Sequence, residues 1–192
     1  MKRRPCSVFA SLCTAGTAVP REGFTLSPML VTLLVGAMAA APVTQPATRP
    51  TPQPISQSDD GTLLLHARDV TIHGTTVRYE PQPNKNTVGY WTRKEDWVSW
   101  DFDVKHGGRF NVIVLQGCGK GSGGSDVEFA VADQVLKMTV RDTGGFQNFV
   151  ERNIGAIDLE PGRHTLTVKP ITKPGLAVMD LRCVTLRPIT GP

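Results

Sequence analysis

Asp96-Trp97-Val98-Ser99-Trp100-Asp101-Phe102-Asp103-Val104 is the stretch on which the fold turns. Val98, Trp100, Phe102 and Val104 alternate with Ser99, Asp101 and Asp103, so every second side chain is apolar. Successive side chains of a strand point to opposite faces, and a period of two predicts a strand with one buried face. Working outward, the period recurs at Val127, Phe129 and Val131, at Leu136, Met138 and Val140, and at Leu166 and Val168 beside Thr165 and Thr167. Phe110 to Gln116 is apolar on both sides and predicts a central strand; a last strand is expected from about Val178 to Leu186. His106-Gly107-Gly108, Asp142-Thr143-Gly144-Gly145, Glu160-Pro161-Gly162 and Lys173-Pro174-Gly175 supply turns between these runs. No stretch carries a 3.6-residue period. Many short strands cut by frequent turns predict an all-β unit, a sandwich or jelly roll, over residues 60–190.

Charge separates that unit from what precedes it. The 192-residue chain has 21 Lys and Arg against 17 Asp and Glu. From Asp59 onward the two classes balance at 16 each, so the whole excess of +4 lies in the first 58 residues. A basic balance confined there argues against a nucleic-acid surface on the folded unit. Residues 1–41 read as a leader: Arg21 precedes the apolar run Met29 to Ala41, which is too short to span a bilayer, and Ala37, Ala39 and Ala40 suit cleavage near Ala40. Export to the periplasm or the outside follows as an expectation, with no membrane span in the mature form. Residues 42–59 form a Pro/Thr/Gln-rich linker, with five prolines between Pro42 and Pro54.

Several segments then align with one pattern. They are Ile72-His73-Gly74, Gly89-Tyr90-Trp91-Thr92, Asp96 to Trp100, Gly107 to Val112, Cys118 to Ser125, Asp142 to Asn148, Pro161 to Pro170, and Val178-Met179-Asp180-Leu181. Together, from Leu63 to Pro188, they resemble a galactose-binding-like β-sandwich of the carbohydrate-binding module type, near families 6 and 35. The resemblance implies a non-catalytic polysaccharide binder that works beside a secreted sulfatase or glycoside hydrolase. A protein-docking sandwich, with Trp91 and Trp97 at the contact, is the alternative. No nucleophile elbow occurs, and the histidines have no metal spacing, so no catalytic residue is expected.

A pyranose ring stacks its C–H face on an aromatic ring while its hydroxyls need fixed polar partners. Tyr90 and Trp91, in the segment from Pro81 to Lys94, are candidate platforms, although Trp91 could instead anchor that loop on the sandwich. Trp97 has opposite parity to Trp100 and either covers an edge or faces solvent, whereas Trp100 belongs to the core. Phe146, Gln147 and Asn148 follow two glycines; the resemblance places such loop groups at one end of the sandwich, on sugar hydroxyls. Asn148 could equally tie its own turn. The resemblance also implies a structural calcium between first-strand carboxylates and an Asp near the last strand. Asp180 fits that pattern, but the first strand reads His66-Ala67-Arg68. No other cofactor is implied. Gly119-x-Gly121-x-x-Gly124 matches a dinucleotide pattern, yet a strand follows it rather than a helix, so it reads as a flexible loop. Cys118 and Cys183 could be joined in an oxidising compartment or lie as two core thiols.

Overall fold

Alternation of apolar and polar residues builds two sheets in the computed structural model, which describes residues 54–189. The expected leader and residues 42–53 of the expected linker lie outside the described residues. In chain order the strands are β1 (Ile55–Ser56), β2 (Leu63–His66), β3 (Thr71–His73), β4 (Arg78–Glu80), β5 (Thr87–Gly89), β6 (Trp97–Val104), β7 (Gly108–Cys118), β8 (Asp126–Val131), β9 (Gln134–Thr139), β10 (Gly145–Leu159), β11 (Gly162–Pro170) and β12 (Asp180–Pro188). One sheet has the order β1-β6-β11-β8-β9, with β3 also on β6; the other runs β10-β7-β12-β5-β4, with β2 also on β12. The all-β sandwich expected from sequence is what forms.

Between the sheets lies a single apolar core. Val98, Trp100, Phe102 and Val104 of β6 are buried, as are Leu166 and Val168 of β11 and Val127, Phe129 and Val131 of β8. Facing them are Leu63, Leu65, Phe110, Val112, Val114, Val184 and Leu186. Trp100 satisfies its indole by donating to the His66 carbonyl at 2.8 Å, so the ring is buried without an orphaned polar group. On the outer face, Asp101 accepts from Thr165 Oγ1 at 2.6 Å and lies 3.5 Å from the Arg163 guanidinium.

Two features depart from the periodicity. The longest strand, β10, was not expected: its register slips between Gly145 and Val150 and again between Asn153 and Gly155. These slips break the alternation that sequence reading depends on. The folded unit also begins before residue 60. Ile55 and Ser56 pair in parallel with Phe102 and Asp103, and buried Gln57 accepts from the Lys105 and His106 amides at 3.0 and 2.8 Å.

The disulfide considered for Cys118 and Cys183 does not form. Both residues are buried, and Cys118 carries a thiol. Across β12 and β7 the partner of Cys183 is Leu115, three residues short of Cys118. Three strand residues span about 10 Å, beyond the reach of a disulfide. Burial, then the nearby Asp142 and Asp180, push the Cys118 thiol up to about 11, so little nucleophilic thiolate exists at neutral pH. Peptide mapping after iodoacetamide treatment should therefore find label on Cys118 only in denatured protein. Label on Cys118 in native buffer would contradict its burial.

Candidate functional site

At the end of the sandwich where β7 finishes and β12 begins, Asp180 pairs with Gly117. A hollow of about 280 Å³ opens there, and Glu80, Lys85, Tyr90, Phe146, Gln147 and Asp180 are among the residues that line it.

Tyr90 reaches it because its neighbour goes the other way. Trp91 is fully buried, donates from Nε1 to the Asp96 carbonyl at 2.8 Å, and accepts from the Val178 amide at 2.8 Å. With Trp91 fixed inward, Tyr90 turns outward in the left-handed backbone region at φ 52°, half exposed. The Arg78 guanidinium lies 3.5 Å from the centre of the Tyr90 ring and fixes its plane. Phe146 supplies the second ring. Its ring lies against Gly119, where a Cβ would collide with it. Gly119 thus serves as a seat for an aromatic.

Two acidic side chains form the floor. Glu80 is buried and accepts from Lys85 Nζ at 2.7 Å. Gly89 separates it from Asp180: a Cβ there would collide with Glu80 Oε2 and stand 3.0 Å from Asp180 Oδ1. Only glycine leaves room for both groups. Arg182 ties down the segment that carries Lys85, donating to the Lys85 carbonyl at 2.7 Å and the Asn84 carbonyl at 2.9 Å. Asp180 is only 5% exposed and its Oδ2 has no hydrogen-bond partner. Burial, followed by the charge of Glu80, pushes its carboxyl up to about 7, against the pull of Lys85, Gln147 and Arg182.

No family model matches the sequence, and no curated protein does. Solved structures do share its architecture. A family 35 carbohydrate-binding module from Clostridium thermocellum matches with TM-score 0.53 at 13% identity, covering 67% of this chain and 98% of the module. The C-terminal family 6 module of a Zobellia galactanivorans laminarinase matches with TM-score 0.54 at 17% identity, covering 66% and 98%. The fold is that of the family 6 and family 35 carbohydrate-binding modules. A third module of this kind, from a Cellvibrio mixtus lichenase and solved with cellotriose, matches with TM-score 0.52 at 18% identity, over 66% of this chain and 97% of its own.

Measured against the expectations for such a module, the named residues divide. Tyr90, Phe146, Gln147 and Asp180 share the hollow. Trp91 is the anchor rather than a platform, and its burial also removes it from any docking contact. Trp97 stands on the outer face of the other sheet, stacked on His73 with centroids 3.6 Å apart and with Lys169 Nζ 4.5 Å above it. Asn148 does not line the hollow; its amide donates to the Thr143 carbonyl, the turn-tying role. Glu80, Lys85 and Arg78 went unnoticed in the sequence, and Gly89 was read only as part of a matching segment, because they are single residues on two short strands and a turn with no motif spacing between them.

The implied calcium does not fit. Calcium takes six or more oxygen ligands, several of them charged. Among the described residues no three His, Cys, Asp or Glu side chains gather in a metal-binding group. Ala67 occupies the core where a first-strand carboxylate was expected, and an ammonium already stands against Glu80. Among the described residues, too, no helix is long and apolar enough to cross a membrane.

Proposed function

We propose that this module binds carbohydrate in the hollow and acts, after export, as the non-catalytic partner of a polysaccharide-degrading hydrolase or sulfatase. The observation that carries the proposal is the convergence of two aromatic rings, Tyr90 and Phe146, with Glu80, Asp180 and Gln147 around one open cavity. Rings offer a surface for the C–H face of a sugar, and the carboxyls and amide offer partners for its hydroxyls. The shared fold supports the reading, as does the cellotriose held by the Cellvibrio module. Affinity at one such site is modest, since each hydroxyl exchanges a bond to water for a bond to protein.

Affinity electrophoresis against a panel of plant and algal polysaccharides tests it. Tyr90→Ala and Phe146→Ala should each weaken retention about tenfold, roughly 1.4 kcal/mol per lost stacking contact. Together they should abolish it while thermal unfolding stays cooperative. Retention of the double variant on the same polymer as the wild type would refute the assignment.

A further inference from the structure

Resting on the carbohydrate reading of the hollow, we infer that the site selects uncharged sugars, through their hydroxyl donors, and turns away uronic acid units. The floor is made of acceptors. Asp180 lines the hollow, and its Oδ2, buried behind that surface, lacks a partner. A buried acceptor without a donor is unfavourable, and a ligand hydroxyl brings the missing hydrogen. Glu80 keeps one oxygen on Lys85 and has the other beside the space left open by Gly89. A neighbouring pair of sugar hydroxyls matches two carboxyls held side by side.

The cations near the hollow are already engaged. Lys85 Nζ holds Glu80 at 2.7 Å. Arg78 stacks on Tyr90, and Arg182 stacks 3.7 Å over Phe149 while donating to two main-chain carbonyls. An arriving carboxylate therefore meets Glu80 and Asp180 where Lys85 already holds Glu80 and Arg182 already holds main-chain carbonyls, and like charges at this range repel. A hydroxyl meets the same groups as a donor.

Acidity gives the inference its sign. Glu80, Lys85 and Arg182 are the charged side chains acting on Asp180, with the neutral Cys118 thiol also near. The Asp180 carboxyl titrates at about 7. Below that pH it is protonated and can donate to an anion; above it the floor carries a second negative charge. Discrimination against acidic sugars should therefore rise with pH.

The test uses the full-length protein and polymers matched except at C6: mannan against polymannuronate, and soluble cellulose oligosaccharides against their C6-oxidised forms, at pH 5.5 and 8.5. The neutral member of at least one pair should bind at least tenfold more tightly than its acidic counterpart at pH 8.5, with the ratio falling severalfold at pH 5.5. Asp180→Asn and, separately, Glu80→Gln should weaken neutral binding yet bring the ratio at pH 8.5 toward one, and Asp180→Asn should flatten its pH dependence. Equal or tighter binding of the acidic members at pH 8.5 overturns the inference and leaves the carbohydrate reading standing. So does a ratio that neither variant moves. Failure of every polymer to bind, neutral and acidic alike, overturns both.

Discussion

Trp91→Ala should cost the fold about 3–5 kcal/mol, the usual penalty for emptying a large buried aromatic site. The indole is fully enclosed and its nitrogen is matched to the Asp96 carbonyl. Deleting it leaves a cavity, an unmet carbonyl and a loosened hold on Val178, whose amide bonds the residue 91 carbonyl. For a unit of this size the melting temperature should fall by roughly 10–20 °C. Because the inward ring also sets the outward pose of Tyr90, the variant should lose glycan binding too, through display of its neighbour. The informative comparison is Tyr90→Ala, which should lose binding with only a small change in melting temperature. Circular dichroism melts of both variants decide the matter. An unchanged melt for Trp91→Ala would mean the ring is exposed and the anchor is elsewhere.

Asp96→Ala should be comparably damaging, by about 3 kcal/mol or more, because one side chain satisfies several donors. Its carboxylate accepts from the Thr75 amide at 3.1 Å, the Thr76 amide and hydroxyl at 2.8 Å each, and the Val77 amide at 2.9 Å. Asp96 is buried, and alanine would strand those amides without a partner. Burial by itself raises such a carboxyl, but the bonds from Val77, Thr76 and Thr75 outweigh it and hold the group down at about 2. A carboxyl lowered on folding contributes stability above its unfolded value near 4, and that contribution is lost as pH falls toward 2. Urea midpoints from pH 7 to pH 2 check this: the wild type should lose stability below about pH 4, and Asp96→Asn should start lower and fall less steeply there. Parallel curves would show that the carboxylate charge does not matter to the fold.

The alternation from Val98 to Val104 was legible because that strand is wet on one side and dry on the other, and the double-sided apolar run at Phe110 was legible because β7 lies between β10 and β12. Strand β10 was not, since an edge strand with two slips in register has no regular face to advertise. At the site, composition identified the aromatics but could not orient them. Tyr90 and Trp91 are adjacent in a segment without a period, and only the hydrogen bonds of Trp91 determine which of the two faces water. The acidic floor was hidden for a different reason. Glu80 and Asp180 are a hundred positions apart, and nothing local to either sequence position signals that Gly89 holds the space between them open.

Strand β12 begins at the hollow with Asp180 and ends with Pro188 beside Phe110. That is a rigid spacer of about 26 Å at the usual rise per residue. Any surface to which the polypeptide is fixed through its far end is thus kept at the opposite pole, so an immobilised layer of this protein would point its mouths outward, ready to capture polymer from the bulk.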